Sequence, residues 1–333
     1  KTHPNALKHL EEWGKARNQV LTPANLKQAE LPEGCAIIPN PVGSAVGFTM
    51  QLNNCLVFCT PGVPNELNTM LNEQIIPSIR TDENHYLHIK RLSVFGIGES
   101  SLQEMINQKI PDWPTDIELG FRAASPLLEV KLTCSDQQKA DKLESLTQQL
   151  YTILDAHIIE EITDQPSSLA AIVLDLLIAE NKTITAAESC TGGLIASLLT
   201  EVAGSSAAFE AGYVTYSNKM KEAMVGVNAE TLIANGAVSE QVVREMALGA
   251  IERSSANYAI AVSGIAGPTG GTAEKPVGTV WIAWGSKGNM QTQQMVIKGS
   301  RKYFQLAVAH RALDLIRRSI LGIDALPHYI EKI

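Results

Sequence analysis

From residue 168 to residue 320 the hydrophobic and polar positions alternate between a helical spacing and an extended one. Apolar residues three and four apart indicate amphipathic helices, whereas short apolar runs indicate strands. The pattern predicts strands over Thr183–Ala187, Phe209–Tyr216, Tyr258–Val262, Gly278–Trp284 and Met290–Ile297, and helices that end at Glu180 or cover Gly192–Leu199, Ser239–Ser254 and Lys302–Ile320. The residues Gly285–Gly288 predict a four-residue hairpin turn. Strands that alternate with helices in this way predict a layered α/β fold.

Two further predicted domains precede this region. In residues 1–82 the pattern predicts helices over Leu7–Trp13 and Asn65–Ile75 and strands over Ala36–Ile38, Val46–Phe48 and Cys55–Phe58. In residues 85–160 it predicts a small α+β sandwich, with strands over Leu92–Phe95, Ile117–Phe121 and Leu127–Leu132 and helices over Ser100–Ile106 and Ser135–Leu154. The polar stretch Glu161–Ser168 predicts a linker to the third domain, residues 167–321.

Composition narrows the classes of partner. The formal net charge of -8 disfavours a nucleic-acid partner, since nucleic-acid affinity depends on clustered Lys and Arg. No apolar run of about 18 residues occurs, so a membrane span is not expected. The five cysteines form no Cys-x-x-Cys pair, which favours a reducing cytoplasm over a disulfide framework or a zinc site. His85 and His88, on a predicted strand, would point to opposite faces, so no metal is expected there.

The stretch Thr185–Gly193 places hydroxyls and a thiol between the end of a strand and the start of a helix. Unpaired N–H groups at a helix N-terminus can hold an oxyanion or a phosphate. Ser189 is therefore a candidate nucleophile, and Cys190 is its rival because a thiol is intrinsically more reactive. Two other interpretations stay open: Ser189 or Thr191 caps the helix, and Cys190 is a small buried residue.

A second stretch, Gly212–Lys221, places a tyrosine and two lysines where a strand ends and a helix begins. A serine hydroxyl needs a base, and His310 is the one histidine of the predicted third domain, so a lysine is the plausible base. Lys221 would have to be uncharged. Moving its pKa from the usual value to near 7 costs about 4–5 kcal/mol, which burial or the neighbouring cation Lys219 could supply. The alternative is the solvated start of an amphipathic helix.

A third stretch, Ala261–Gly271, predicts a strand that runs into a loop with four glycines and a proline. Backbone without side chains can approach a ligand closely. The glycine spacing matches neither a dinucleotide fingerprint nor a Walker A loop. A ligand-binding loop and a flexible hairpin loop both remain open.

Together these stretches resemble the C-terminal domain of the CinA family. The resemblance is carried by Ala-Glu-Ser-Cys-Thr-Gly-Gly, Tyr-Ser-Asn-x-x-Lys, Gly-Ala-Val-Ser-Glu and Ser-Gly-Ile-Ala-Gly-Pro-x-Gly-Gly-x-x-x-Lys-Pro-Val-Gly-Thr-Val. It implies an enzyme that hydrolyses the carboxamide of nicotinamide mononucleotide to nicotinate mononucleotide and ammonia, without a cofactor. It also implies that Ser189, Lys221 and Tyr216 act together in catalysis.

The same resemblance implies which residues bind the substrate. Backbone amides after the nucleophile would hold the oxyanion, and Arg301 would pair with the 5′-phosphate through its planar fork. For Arg301 a solvated charge at the start of a helix is the alternative. The expected substrate-binding residues are Cys190, Thr191, Gly192, Ser263, Gly264 and Arg301. The resemblance further implies a homodimer.

The first two segments are similar to the latter part of the family's molybdopterin-binding-like domain and to its KH-like domain, through Asn40–Phe48 and Pro61–Glu66. The first domain's Gly-Asp and Thr-Gly-Gly-Leu-Gly-Pro-Thr motifs do not occur in this sequence. An alternative function, hydrolysis of the pyrophosphate of ADP-ribose or a related nucleotide, would need that domain complete, and a divalent metal is expected only then. Gly43 and Glu66 would be remnants of its site. A further alternative is a binding protein without activity, using Phe95–Glu99 as an RNA clamp, which the Gly-x-Gly-Glu sequence and the acidic charge disfavour.

Overall fold

The computed structural model describes residues 1–79, 87–135, 139–324 and 327–330. It divides the chain into two compact units, Lys1–His85 and Tyr86–Ile333. Of the two histidines considered as metal ligands, His85 lies outside the described residues and His88 begins a strand. The catalytic residues proposed from the sequence all belong to the second unit.

The first unit is a three-stranded antiparallel sheet with short helices. Its strands follow the order β1-β2-β3 and are β1 (Ala36–Ile38), β2 (Gly47–Leu52) and β3 (Cys55–Cys59). Its helices are α1 (Pro4–Ala16), α2 (Pro23–Leu26), α3 (Pro64–Met70) and α4 (Ile76–Ile79). Proline opens the first three helices, where its missing N–H would lack an intrahelical acceptor anyway. A π-helical turn, Leu71–Ile75, joins α3 to α4, so the predicted helix continues to Ile79.

The second unit begins with a four-stranded antiparallel sheet and two helices. The strands follow the order β5-β6-β4-β7 and are β4 (His88–Val94), β5 (Glu118–Ala124), β6 (Leu127–Cys134) and β7 (Ile158–Glu161). The helices are α5 (Glu99–Lys109) and α6 (Ala140–Leu154). Leu143, Leu146 and Leu150 of α6 are buried in one cluster with Leu92 and Val130 of the sheet. The predicted strands and helices are confirmed with small shifts, except that α6 begins at Ala140 rather than at Ser135. Residues 136–138 of that predicted helix lie outside the described residues, and β7 is an additional strand.

The remainder of the second unit is a five-stranded mixed sheet. The strands follow the order β12-β11-β10-β8-β9 and are β8 (Ile184–Glu188), β9 (Phe209–Val214), β10 (Tyr258–Gly264), β11 (Thr279–Ser286) and β12 (Asn289–Val296). The helices are α7 (Leu169–Ala179), α8 (Leu194–Thr200), α9 (Asn218–Val225), α10 (Ala229–Asn235), α11 (Glu240–Ser254) and α12 (Arg301–Ile320). Strand β8 is parallel to β9 and β10, and β11 and β12 extend the sheet in antiparallel fashion.

Helices cover both faces of this sheet. Successive residues of a strand point to opposite faces, so each central strand contributes to two apolar clusters. In β8, Ala186 belongs to the apolar cluster that includes α7, α8 and α12, whereas Ala187 belongs to the cluster that includes α9, α10 and α11. In β10, Ile260 and Val262 lie on the first side and Ala261 on the second. The predicted layered α/β fold is therefore confirmed.

Two local predictions need correction. Ser286 pairs with Asn289, so the β11–β12 turn consists of Lys287 and Gly288 rather than four residues. Helix α10 was not predicted from the sequence. Within the described ranges, no helix has the length and hydropathy that crossing a bilayer requires.

A buried charged network ties α12 to the start of β7. Asp314 is fully buried and accepts hydrogen bonds from the guanidinium groups of Arg317 and Arg318. Arg317 also donates to the carbonyl oxygens of Ala156 at 2.8 Å and Ile158 at 3.4 Å, and Arg318 donates to Ala156 at 2.9 Å. Removing one member would leave a buried charge without its partner, at a cost of about 3–5 kcal/mol. The network therefore fixes α12 against the four-stranded sheet of β4 to β7 (the middle sheet).

Candidate active site

The candidate site lies where the parallel strands β8, β9 and β10 end. Segments that follow neighbouring parallel strands meet at one edge of the sheet, which is where open α/β sheets bind ligands. Ser189 follows β8, Thr215 follows β9, and Ser263 lies at the end of β10. The amide of Ser189 donates to the carbonyl oxygen of Val262 at 3.0 Å, and the amide of Thr215 donates to that of Glu188 at 2.8 Å. These bonds hold the three strand ends together.

The buried carboxylate of Glu188 organises the turn that carries Ser189. Glu188 is 1% exposed and accepts a hydrogen bond from the hydroxyl of Thr191 at 2.6 Å. Its oxygens also accept three backbone N–H groups at 3.1, 3.0 and 2.8 Å, those of Gly193, Ile195 and Ala196. Because the N-cap residue of α8 is Gly193, neither Ser189 nor Thr191 caps this helix. We assigned no role to Glu188 from the sequence, although a glutamate that ends a buried strand was a visible signal.

The N-terminus of α8 is not open to a ligand, contrary to the expectation from the sequence. Glu188 occupies its first amides, and a carboxylate there also offsets the positive end of the helix dipole. The amide of Gly192 donates to the carbonyl oxygen of Ser189 at 3.2 Å. Among the described residues, the N–H groups of Cys190 and Thr191 have no acceptor. Of these two residues, Cys190 lines the cleft and Thr191 does not.

Lys221 is buried beside Ser189. It is 1% exposed, and its Nζ lies 3.0 Å from Ser189 Oγ and donates to the carbonyl oxygen of Thr215 at 2.9 Å. Burial lowers the pKa of Lys221, because the charged form loses hydration, and no carboxylate in the described part of the chain pairs with it. Lys219 is exposed and does not contribute to the lowered pKa. Of the two causes considered from the sequence, burial and a neighbouring cation, burial is the one that acts.

Cys190, the rival nucleophile, belongs to the core. It is buried in the cluster that includes α7, α8 and α12, and its carbonyl oxygen accepts a hydrogen bond from Gln305 Nε2 at 3.0 Å. Burial raises the pKa of the Cys190 thiol to about 12, so little thiolate forms near neutral pH. Of the two neighbouring residues, the geometry favours Ser189 as the nucleophile.

Tyr216 and Arg301 contact each other in the same cleft as Ser189. Tyr216 is 61% exposed, and its hydroxyl accepts a hydrogen bond from Arg301 Nη2 at 3.1 Å. The Nη1 of Arg301 donates to the carbonyl oxygen of Gly267 at 3.0 Å. The tyrosine hydroxyl thus bonds to the arginine rather than to Ser189 or Lys221.

Ser263 and Gly264 form another part of the cleft wall. Ser263 is buried, and its hydroxyl donates to the carbonyl oxygen of Ala237 at 2.7 Å. A Cβ atom at Gly264 would lie 2.7 Å from the carbonyl oxygen of Thr279, which is closer than real Cβ contacts. The strand pairing of β10 with β11 therefore requires glycine at this position.

The cleft has a volume of about 250 Å³ and joins most of the residues singled out from the sequence. Its lining residues are Ser189, Cys190, Tyr216, Asn218, Lys221, Ala237, Val238, Ser263, Gly264, Ala266 and Arg301. Asn218, Ala237 and Val238 lie in the quoted motifs but were given no role, whereas Thr191 and Gly192 do not line the cleft. The structure thus brings together five sequence stretches that are far apart along the chain.

In the first unit, the two residues assigned to a second site by resemblance also meet. Asn40 is buried, its Nδ2 donates to Glu66 Oε2 at 2.8 Å, and its Oδ1 accepts the amide of Gly43 at 3.0 Å. Across the described ranges, no group of three or more His, Cys, Asp or Glu side chains is placed to hold a metal ion. These contacts account for the shape of the loop and carry no catalytic assignment.

The chain is similar to a family model, to known proteins and to a solved structure. The family model described as "CinA C-terminal domain" matches residues 166–320. A CinA-like protein of Colwellia psychrerythraea is 54% identical over 332 residues, which cover 99% of this chain and 77% of the relative. A CinA-like protein of Shewanella denitrificans is 41% identical over 323 residues, with 96% and 75% covered. The crystal structure of the competence/damage inducible protein CihA from Agrobacterium tumefaciens is 42% identical, with a TM-score of 0.45, and the match covers 49% of this chain and 100% of that one.

Proposed function

This chain belongs to the CinA family, and from that premise we propose that it hydrolyses the carboxamide of nicotinamide mononucleotide to nicotinate mononucleotide and ammonia. The observation that carries the proposal is the 3.0 Å distance between Ser189 Oγ and the buried Nζ of Lys221. A serine beside an amine with a lowered pKa is an arrangement suited to attack on an acyl carbon. The family resemblance implies that this acyl carbon belongs to the carboxamide of nicotinamide mononucleotide.

The first step uses Lys221 as the base. Ser189 Oγ attacks the carboxamide carbon while its proton passes to the uncharged Nζ of Lys221. The carbonyl oxygen of Thr215 accepts one N–H of the amine at 2.9 Å, which fixes the amine next to the hydroxyl. In this proposal burial favours the uncharged amine, and the hydrogen bond to Thr215 holds it in place.

The developing negative charge is held in the turn after the nucleophile. The amide of Cys190, which lines the cleft, donates to the oxyanion that forms from the carboxamide oxygen. Collapse of this intermediate expels ammonia, which takes the proton from the Lys221 ammonium. A water molecule then attacks the ester on Ser189, again giving a proton to Lys221, and this proton returns to the serine oxygen as nicotinate mononucleotide leaves. One water is consumed and one ammonia is released.

Arg301 is proposed to bind the 5′-phosphate of the substrate. Its two terminal nitrogens already point to two neighbouring acceptors, Gly267 O and the Tyr216 hydroxyl. A planar guanidinium fork matches two phosphate oxygens, so binding exchanges neutral acceptors for charged ones. Tyr216, once released from Arg301, is available for the orienting or proton-relay role that the family resemblance gives it.

Ammonia release from nicotinamide mononucleotide, nicotinamide riboside and nicotinamide tests this proposal. We expect release from the mononucleotide and a kcat/KM at least about tenfold lower for the riboside, which lacks the phosphate. Ser189→Ala should lower the rate by about a thousandfold or more. Cys190→Ala is the matched control and should retain most of the activity, because its buried thiol takes no part in the chemistry. Full activity in Ser189→Ala, or no ammonia from any of the three compounds, would contradict the proposal.

A further inference from the structure

A second cleft of the second unit lies between the middle sheet and α12. Its volume is about 520 Å³, which is larger than that of the candidate active-site cleft, and the two clefts share no lining residue. Its walls are the β4–α5 loop Phe95–Gly98, the β5–β6 turn at Ser125 and Pro126, one face of α12, and Tyr329. From the sequence, this β4–α5 loop was a candidate only for an RNA clamp.

Arg311 is the charged residue of this cleft, and it is half-buried. Its guanidinium lies over the ring of Tyr329, 5.0 Å from the ring centroid. In the described part of the chain its side chain makes one hydrogen bond, a weak one to Met295 Sδ at 3.9 Å. Burial lowers the pKa of Arg311, which is the direction expected for a cation that loses hydration without gaining an anionic partner.

The neighbouring carboxylate does not compensate this charge. Asp314, three residues further along α12, is already engaged by Arg317, Arg318 and the hydroxyl of Tyr329 at 2.9 Å. None of the residues described along the cleft is acidic, although the chain carries a net charge of -8. A guanidinium offers several donors, and its desolvation is costly unless an anion pairs with it. The cleft therefore favours an anionic ligand.

The opposite wall is the backbone that leads into helix α5. Helix α5 begins at Glu99, directly after Gly98, and no side chain caps its first turn. The carboxylate of Glu99 in the first turn offsets the partial positive charge of this helix start, so the positive charge of the cleft comes from Arg311. A Cβ atom at Gly98 would meet nothing within 4 Å, so a ligand can approach this backbone closely.

Aromatic rings complete the cleft. Phe95 packs edge-on against Tyr329, with ring centroids 5.7 Å apart, and Tyr303 is 54% exposed. Exposed and half-buried rings beside a cationic group suit a ligand that combines a planar ring with an anion. The volume falls in the range of small-molecule sites, about 300–1,000 Å³.

We propose that this cleft binds a small phosphate ester that carries a planar ring, with the phosphate on Arg311 and the ring against Tyr303 and Tyr329. The site is separate from the one around Ser189, and the proposal does not depend on the amidohydrolase activity. Helix α12 contributes to both clefts, with Arg301 in the first and Arg311 in the second.

Isothermal titration of the full chain with adenosine 5′-monophosphate tests this site, because this probe has a ring and a phosphate but no carboxamide to hydrolyse. Arg311→Gln should weaken its binding at least about tenfold, as expected for loss of a charge-assisted bond. Lys302→Gln, on the same helix but exposed and lining neither cleft, is the matched control and should leave that binding unchanged. Tyr303→Ala should weaken the binding of adenosine 5′-monophosphate without changing the affinity for inorganic phosphate.

Arg311→Lys keeps the charge and serves as a second variant if Arg311→Gln fails to fold. Phosphate should raise the melting temperature of Arg311→Lys by less than that of the unmodified chain, because a point charge replaces the planar fork. No binding of adenosine 5′-monophosphate to the unmodified chain would overturn the proposal. Binding that is lost in Arg301→Gln and kept in Arg311→Gln would overturn it as well, since the nucleotide would then occupy the first cleft.

Discussion

Buried charged groups have different kinds of partner at the two clefts along α12. In the first, Glu188 accepts four hydrogen bonds from its own turn, and Lys221 is held between a serine and a carbonyl oxygen. In the second, the guanidinium of Arg311 meets a thioether and a ring. In the proposed function the internal partners near the first cleft preorganise the serine and the lysine, whereas at the second cleft the missing anionic partner is the basis for proposing a ligand.

The contrast also shows that burial acts differently on the two cations. Burial lowers the pKa of both Lys221 and Arg311. A lysine can respond by losing its proton and becoming a base, but an arginine stays charged at any physiological pH. The same physical effect therefore favours chemistry at position 221 and anion binding at position 311.

Replacing Lys221 should have the largest effect and tests the first half of the comparison. Lys221→Met keeps the length of the side chain but removes the base, so kcat for ammonia release should fall about a thousandfold. Lys219→Met, two residues away and exposed, is the matched control and should keep its activity. A Lys221→Met protein that folds and retains more than a tenth of the activity would show that the amine is not the base.

Glu188→Gln should have an intermediate effect, on stability. The amide NH₂ of glutamine cannot accept, so at least one backbone N–H of the turn is left unpaired, at a cost of about 1–3 kcal/mol in the free energy of unfolding. Glu201→Gln, at the exposed end of α8, should change stability by less than about 0.5 kcal/mol. Urea denaturation of both variants measures the difference. Equal stabilities would mean that the carboxylate does not organise the turn.

The pH dependence should give the smallest and most diagnostic effect. Only the uncharged amine of Lys221 accepts a proton, and its pKa is lowered, so kcat/KM should rise about tenfold per pH unit below that pKa and level off above it. Stability should also rise with pH between the folded pKa and the unfolded value of about 10.4, because the unfolded state binds more protons there. A kcat/KM that falls as pH rises through this window would contradict the assignment of the base.

Most of the fold was predictable because its strands are buried. The apolar runs of β8 and β10 are covered on both faces, so their pattern was visible in the sequence. Strand β7 was missed because Glu160 and Glu161 make half of its four residues acidic. Its pairing with β4 depends on the tertiary position of the segment, which no local pattern encodes.

The site was predictable in part, for a similar reason. Ser189 and Lys221 lie in conspicuous motifs, and the parallel strand ends bring them together. The role of Glu188 depends on how the following turn folds back over its carboxylate, which composition does not reveal. The cleft at Arg311 joins α12 to a loop more than 200 residues earlier in the chain, so it became visible only in the folded structure.

The network around Asp314 has a consequence for how this protein can vary. Its two arginines bind the middle sheet through the carbonyl oxygens of Ala156 and Ile158, not through side chains. Every amino acid supplies the same carbonyl group, so substitutions at these two positions leave the acceptors in place. An insertion or deletion between residues 155 and 158 would move them. The network therefore constrains the number of residues in this stretch, whereas the packing of Ile158 against the hydrophobic core constrains the identity of that residue.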